Sequence, residues 1–330
     1  TTAALPAASV PVALPGAAAA AVAYAAVAAA VLAVRSAVAR RWLRRIGGRR
    51  RRRRAIGAAA LAVATMAALF LIRGPAPPRP GELVVSFLDV GQGDATLLQA
   101  GGAAILVDTG PPGGPILRRL REAGLKRLDL LVLTHGQADH EGMAPAVLRA
   151  HPARVILNGA AGADTPVQRQ LAQLAARAHA RTVVAEAGET LRVGRMALRV
   201  LWPPHRAAGT APAGDPNDRA VVAQVTTGGF DLLLPADAES NVTARLALPR
   251  VDALKVAHHG SADDGLPAEL GRLRPRFAAI EVGADNTYGH PAPSTLAALR
   301  AVGDVARTDR DGTIRLRVAG GRMRVERERG

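Results

Sequence analysis

The chain contains no cysteine, few aromatic residues and no acidic residue before Glu82. The absence of cysteine excludes disulfides and thiolate metal ligands. Aromatic residues make up only 2% of the 330 residues, which leaves little ring surface on which nucleic-acid bases could stack. The late start of acidic residues places most of the net charge of +16 near the amino terminus. From Glu82 onward, 30 basic residues accompany 27 acidic ones, so the total charge does not indicate a nucleic-acid-binding face there.

Two apolar, alanine-rich stretches flank an arginine-rich loop early in the chain. Residues 17–34 and 55–72 each hold about 18 residues, close to the minimum for a membrane-spanning helix. Eleven arginines lie between Arg35 and Arg54, and the positive-inside rule places such a loop in the cytoplasm. The sequence therefore predicts a membrane segment over residues 1–73, followed by an extracytoplasmic part. Buried helices or a disordered tail are alternatives for the two stretches, and a nucleic-acid patch is an alternative for the arginines.

A proline-rich linker over residues 74–81 separates this segment from a globular part predicted over residues 82–330. Short apolar runs bounded by turn residues predict strands in both halves of the globular part, with a few helices between them. Strands are expected at residues 83–90, 95–99, 103–107, 128–133, 155–157, 182–185, 197–201, 220–226, 231–234, 254–257, 277–282, 313–318 and 322–326. Helices are expected at residues 115–123, 141–150, 165–180 and 293–301. The mixture indicates an α+β fold.

The densest group of metal-binding side chains follows the apolar run at residues 130–133. His135, Asp139 and His140 lie within six residues, in the loop that leaves this predicted strand. Imidazole and carboxylate donors without thiolate suit Zn²⁺ or Mn²⁺. Capping of the next helix by Asp139, with two surface imidazoles, is the alternative explanation. We expect a site for one or two ions at this position.

Two later apolar runs end in further candidates. Asp237 follows residues 231–234, where a turn aspartate is the alternative, and His258 and His259 follow residues 254–257. If the strands are neighbours, their carboxyl ends converge on one rim, and the chain is then predicted to be a metallohydrolase. Adjacent strand-end residues point in opposite directions, so binding of both histidines to one metal is not expected. His259 is the favoured ligand, and His258 would face the leaving group or a phosphate oxygen.

Six motifs follow one another in a recognisable order. They are DVGQGDA at residues 89–95, DTG at 108–110, HGQADH at 135–140, Asp237, LKVAHHGS at 254–261 and YGHP at 288–291. Over residues 82–318 the chain resembles the carboxyl-terminal domain of the ComEC family, the competence DNA-uptake channels. The resemblance implies a four-layer αββα sandwich of the metallo-β-lactamase superfamily, with metals at one edge. It also identifies the two upstream stretches with the last transmembrane helices of the channel.

The resemblance assigns a ligand set that this chain only partly matches. The implied metal ligands are His135, Gln137, Asp139, His140, Asp237 and His259. His135 and Gln137 would serve a first metal position, Asp139 and His140 a second, and Asp237 would bridge them. Where this chain has Gln137, the family has aspartate and the wider superfamily has histidine. Because a neutral amide is a poorer ligand, the first position is expected to bind metal weakly or not at all.

The remaining candidates act in catalysis, contact substrate or support the metal ligands. The catalytic candidates are Asp139, which would orient the attacking water, His258, and His290, a general acid whose alternative is a structural role. Substrate contacts are expected from Asn217, Asp218, Gly260 and Ser261. A turn before a strand is the alternative explanation for the first two of these. Asp94 and Asp108 would support the metal loop from behind.

Three functions are compatible with these residues. The leading one is a phosphodiester hydrolase that uses one or two Mn²⁺ or Zn²⁺ ions to degrade the DNA strand that is not transported. The second is another envelope phosphodiesterase, such as a phosphorylcholine esterase. The third is a DNA-binding or gating domain that has lost activity, which Gln137 would favour. The expected partners are the DNA phosphate backbone, the membrane and a channel part of the same longer chain, and the oligomeric state stays open.

Overall fold

The computed structural model describes residues 78–163, 165–205 and 214–329. They belong to the second of two compact units, Pro77–Gly330. The predicted membrane segment at residues 1–73, with both predicted transmembrane helices, lies outside the described residues. Within the described ranges, every helix is too short or too polar to span a bilayer.

Fifteen strands and eight α-helices are found among the described residues. The strands are β1 (Leu83–Phe87), β2 (Thr96–Ala100), β3 (Ala103–Val107), β4 (Leu128–Leu133), β5 (Ala153–Asn158), β6 (Arg181–Val184), β7 (Thr190–Val193), β8 (Met196–Trp202), β9 (Val222–Thr227), β10 (Phe230–Leu234), β11 (Ala253–Lys255), β12 (Phe277–Ile280), β13 (Asp304–Arg307), β14 (Ile314–Ala319) and β15 (Arg322–Arg327). The helices are α1 (Ile116–Glu122), α2 (Ala138–Glu141), α3 (Ala144–Ala150), α4 (Pro166–Arg177), α5 (Ser240–Thr243), α6 (Leu266–Leu273), α7 (Pro293–Ala298) and α8 (Thr308–Asp311). Short 3₁₀ helices lie at Asn217–Arg219, Ala257–Gly260 and Leu299–Ala301.

The strands form two sheets, each with a parallel half. The first sheet has the order β15-β14-β1-β2-β3-β4-β5-β6, and the second has the order β13-β12-β11-β10-β9-β8-β7. Strands β3 to β6 are parallel in the first sheet, and β10 to β13 are parallel in the second. Because parallel strands end at the same edge, the loops that leave β3, β4, β10, β11 and β12 can share one site.

In the central strands of each sheet both faces are buried, whereas the edge strands β6, β7 and β15 are partly exposed. In β4, Leu130 and Val132 pack between the sheets, whereas Leu131 and Leu133 pack under the outer helices. Phe87 and Phe277 meet between the sheets, with ring centroids 6.2 Å apart. Helices α1, α3 and α4 cover the first sheet, and α5, α6 and α7 cover the second. The predicted α+β sandwich with two central sheets is confirmed.

The structure differs from the sequence-based prediction in short elements. The helix predicted over residues 141–150 is broken into α2 and α3 at Gly142, where an added Cβ would lie 2.5 Å from Pro112. Strands β7 and β13 and helices α5, α6 and α8 had no predicted counterpart. β7 is only four residues long and alternates exposed and buried positions, so it shows no continuous apolar run.

Candidate metal centre

Asp108, at the end of β3, fixes the loop that follows β4. It accepts hydrogen bonds from the backbone amide of Thr134 at 2.8 Å and from the Thr134 hydroxyl at 2.6 Å. Its Oδ2 also lies 2.8 Å from Nδ1 of His140. Since a carboxylate only accepts, Nδ1 of His140 donates this bond, and Nε2 is directed into the site. Asp108 therefore lies behind the loop and orients one of its imidazoles.

His135 presents the same nitrogen to the site. The Thr134 hydroxyl, which donates to Asp108, lies 3.0 Å from Nδ1 of His135 and accepts from it. Nε2 of His135 is buried and makes no hydrogen bond of good geometry. Burial and the neighbouring His140 lower the pKa of His135 to about 4, so the ring is neutral at pH 7. A neutral ring with a free Nε2 lone pair is the form that binds metal.

Asp237 lies at the centre of the imidazoles, three residues after β10. Its side chain is 1% exposed, and neither carboxylate oxygen makes a hydrogen bond of good geometry. Its Oδ2 is the common neighbour of four imidazole Nε2 atoms, at 3.2 Å from His140, 3.8 Å from His258 and His259, and 4.0 Å from His135. Buried carboxylates are normally paired or bound to metal. These residues therefore fit a divalent cation.

Four side chains lie close enough to hold one ion. Asp139, His140, Asp237 and His259 each offer a ligand atom, all within 4.8 Å of one another. Oδ2 of Asp139 lies 3.2 Å from Nε2 of His259, and Asp139 is the most exposed of the four, with 30% of its side chain accessible. A nitrogen and oxygen donor set that opens to solvent on one side is typical of catalytic metal sites.

His258 and His259 lie in the 3₁₀ helix after β11, where both have left-handed backbone, with φ of 46° and 51°. This conformation is uncommon for residues other than glycine, and here it brings both rings towards Asp237. The expectation that the two rings point in opposite directions is therefore wrong. His259 belongs to the group of four, and its Nδ1 donates to the carbonyl of Glu281 at 2.8 Å. His258 lies beside that group.

Gln137 lies outside the group of four. It is half-buried at the residue before α2, two positions after His135. The first metal position implied by the resemblance would have His135, Gln137 and a shared Asp237, next to the group of four. That the first position binds metal more weakly stays a prediction.

The four predicted substrate contacts fall into two places. Gly260 and Ser261 follow His259 directly, and the Ser261 hydroxyl donates to Glu239. Asn217 and Asp218 lie in the 3₁₀ helix before β9. The carboxylate of Asp218 accepts from the Asn241 amide at 2.6 Å, and its carbonyl accepts from the Trp202 indole at 2.7 Å. The backbone amide of Asn217 donates to the Asp215 carboxylate at 2.9 Å. These bonds hold the local loops together and do not involve the group of four.

His290 and His258 form an outer pair of imidazoles. Their ring centroids are 5.6 Å apart, and Nδ1 of His290 is buried without a hydrogen-bond partner. Nδ1 of His258 lies 2.8 Å from Glu239, and this hydrogen bond raises the pKa of His258. Burial, together with the charges of His258 and His259, lowers the pKa of His290. The pKa values of the two rings are therefore shifted in opposite directions.

Lys255, for which no role was predicted, lies at the buried side of the site. It is 1% exposed, forms an ion pair with Asp94 and donates to the carbonyl of Ala236 at 3.0 Å. Its Nζ also lies 3.9 Å from Oδ1 of Asp237. Although burial opposes ionisation, Lys255 and the neighbouring histidines hold the pKa of Asp94 well below its usual range. The sequence contained a sign that Lys255 is buried. The chain has two lysines among 43 basic residues, and this one interrupts an apolar run.

Glu281, which also had no predicted role, lies beside this ion pair. It accepts hydrogen bonds from the Ala95 amide at 3.2 Å and from the Thr96 hydroxyl at 2.8 Å. Burial and the charge of Asp94 raise the pKa of Glu281 to about 8, so it is mostly protonated at pH 7. A glutamate inside the apolar run at residues 277–282 was the available signal.

Metal binding is expected to release protons. Against the effect of burial, nearby carboxylates raise the pKa of His259 to about 9 and that of His140 well above its ordinary value. Without metal, both rings are therefore positively charged at pH 7, with a proton on each nitrogen. Each ring must lose one proton to become a ligand, so about two protons are released per ion. Affinity for Zn²⁺ should rise as pH increases from 6 to 9. Calorimetric titration in two buffers of different ionisation enthalpy measures this release, and identical heats in both buffers would contradict it.

The metallo-β-lactamase superfamily model matches residues 88–269. The chain therefore belongs to the metallo-β-lactamase superfamily. Within it, the chain is 29% identical over 269 residues to ComE operon protein 3 of Bacillus subtilis (strain 168). It is 31% identical over 256 residues to Recombination protein 2 of Haemophilus influenzae and 28% identical over 277 residues to Competence protein ComA of Neisseria gonorrhoeae.

These alignments cover 73%, 74% and 81% of this chain, but 34%, 30% and 37% of the three relatives. The chain thus spans about a third of the length of the curated relatives it matches. The resemblance of its carboxyl-terminal part to the ComEC family, predicted from the six motifs, is confirmed.

Proposed function

We propose that the described domain is a metal-dependent phosphodiesterase that cleaves DNA, acting on the strand that is not carried into the cell during uptake. The observation that carries this proposal is Asp237, a buried carboxylate without good hydrogen bonds that faces four imidazole Nε2 atoms. The names of the relatives, which include a recombination protein and a competence protein, support a nucleic acid as the substrate. An extracytoplasmic position, as the predicted spans imply, would suit this role.

The residues divide the work of hydrolysis between holding the ion and placing the water. When bound, a divalent ion lowers the pKa of water from about 15.7 towards about 7 and neutralises charge on a phosphate oxygen. His140, Asp237 and His259 would hold the ion from the buried side. Asp139, at the open side, would also accept a hydrogen bond from the attacking water and orient it. Mn²⁺ and Zn²⁺ both suit a nitrogen and oxygen donor set without thiolate.

The outer imidazoles would serve the leaving group. His258, whose pKa is raised by its hydrogen bond to Glu239, stays protonated to a higher pH than His290 and would donate the proton to the departing oxygen. His290, whose pKa is lowered, would remain neutral at pH 7 and donate a hydrogen bond to a phosphate oxygen. Electrostatics thus favour His258 over His290 as the general acid.

A nuclease assay on the purified chain with Mn²⁺ or Zn²⁺ tests this function. The variant Gln137→Asp tests in addition whether the residue at this position limits metal binding. Wild type is expected to cleave linear DNA and to bind about one ion tightly. Because a carboxylate is a better ligand than an amide, Gln137→Asp should retain or raise the rate, by up to about tenfold, and raise metal content towards two ions. Mass spectrometry of the metal content and the cleavage rate measure both effects.

The matched control is Gln170→Asp, which makes the same change on the exposed face of α4 and should alter neither quantity. Metal-loaded wild type that cleaves no DNA but hydrolyses another phosphodiester, such as a phosphorylcholine ester, would contradict the proposed substrate. A wild-type chain that takes up no metal from Mn²⁺ or Zn²⁺ solution, yet binds DNA tightly, would instead favour a gating domain.

A further inference from the structure

A tyrosine ring stands exposed beside the candidate metal centre. Tyr288 is 71% exposed, and in the described part of the chain Val184, at 42%, is the other exposed large apolar side chain. The phenylalanines at positions 87, 230 and 277 are buried in the core. A single exposed apolar side chain is common on protein surfaces. The support and the position of this ring distinguish it from such a residue.

The loop that carries Tyr288 is tied at both ends. The side-chain amide of Asn286 donates to the carbonyls of Gly283 at 2.8 Å and His290 at 2.9 Å, and its oxygen accepts from the His290 amide at 3.1 Å. Gly283 in turn donates to the Gln92 side chain at 3.1 Å, and an added Cβ at Gly283 would lie 2.6 Å from the Gln92 backbone nitrogen. A ring presented by a fixed loop loses little freedom when a ligand binds to it.

The ring lies within reach of the residues that would hold the phosphate. Its centroid is 5.9 Å from that of His290, with the two planes tilted by 31°. The His290 ring contacts the His258 ring, and Nε2 of His258 lies 3.8 Å from Oδ2 of Asp237. A nucleotide whose phosphate oxygen accepts a hydrogen bond from His290 could therefore place a neighbouring base over Tyr288.

We infer that Tyr288 is a stacking platform for a nucleobase next to the scissile phosphate, so that the preferred substrate is DNA with unpaired bases. This inference rests on the proposed phosphodiesterase function and names its substrate class. In a duplex, neighbouring base pairs cover both faces of each base, and only an unstacked base offers a face to an aromatic side chain. One flat ring suits a planar base, whereas quaternary ammonium groups such as choline are bound by cages of several aromatic rings.

Binding of labelled single strands in EDTA tests the platform without turnover. Fluorescence anisotropy compares oligothymidylate with a strand of equal length in which tetrahydrofuran replaces every base. Tyr288→Leu should weaken binding of the base-bearing strand about tenfold and leave the abasic strand unchanged. Tyr288→Phe keeps the stacking ring and should retain the wild-type preference. Val184→Ala removes the other exposed apolar side chain, on edge strand β6, and should change neither affinity.

Cleavage with metal separates this inference from the proposed function. Wild type should cut a single strand about tenfold faster than a closed duplex, and Tyr288→Leu should reduce that ratio. Equal binding of base-bearing and abasic strands by wild type would overturn the stacking role, whatever the cleavage rate. A base preference that Tyr288→Leu abolishes, without cleavage of any strand, would support the stacking role and overturn the nuclease function.

Discussion

Asparagine in place of Asp237 should remove both tight metal binding and DNA cleavage. The carboxylate lies against four imidazole Nε2 atoms, and both of its oxygens lack good hydrogen bonds. The amide of asparagine is nearly the same size but carries no charge, so it attracts a divalent cation far less. Without the ion, water keeps its ordinary pKa, and we expect the cleavage rate to fall by roughly 10³-fold or more.

Metal content and thermal stability test this expectation independently of turnover. In wild type, an ion present at about 100 times its Kd should stabilise the fold by about 2.7 kcal/mol, and the variant should show no such gain. Asp231→Asn is the matched control, because it makes the same change at the opposite end of β10. Normal metal content and cleavage in Asp237→Asn would remove the basis of the assigned centre.

Methionine in place of Lys255 should destabilise the fold strongly. The ammonium group is fully buried, pairs with Asp94 and lies 3.9 Å from Asp237. Methionine fills a similar volume but leaves two buried carboxylates without their cation. Removing one partner of a buried ion pair typically costs 3–5 kcal/mol, so we expect the free energy of unfolding to fall by about 4 kcal/mol.

Denaturant unfolding in EDTA measures this loss without a contribution from bound metal. The double variant Lys255→Met with Asp94→Asn removes both charges and should recover part of the stability, because the two sites are in direct contact. Lys126→Met, at the only other lysine of the chain, replaces an exposed side chain and should change the free energy by less than about 0.5 kcal/mol. A loss that small in Lys255→Met would show that the ion pair is not important for stability.

The grouping of the candidate metal ligands could be predicted because their placement depends on strand order. His135, Asp139 and His140 follow β4, and Asp237 follows β10. Parallel strands in a sandwich end at one edge, so apolar runs that end in ligand residues already indicate a shared site. The long buried strands could be predicted because each contains a continuous apolar run.

The residues that support the site were harder to predict because their partners are distant in the chain. Lys255 pairs with Asp94, 161 positions away, and nothing local to either residue indicates the other. The direction of His258 and His259 was wrong because left-handed backbone at two successive histidines has no sequence signature comparable to glycine. Tyr288 belongs to no aromatic cluster or periodic pattern in the sequence, and the role proposed for it depends on the loop that presents it and on its position beside His290.

The candidate centre takes residues from loops of both sheets, and these loops lie far apart in the sequence. Asp139 and His140 belong to the first sheet's loops, whereas Asp237 and His259 belong to the second's. During synthesis on a ribosome, the first pair emerges about a hundred residues before the second. A truncated or half-made polypeptide thus lacks half of the four residues that would hold the ion. The hydrolase can become active only after translation has passed His259.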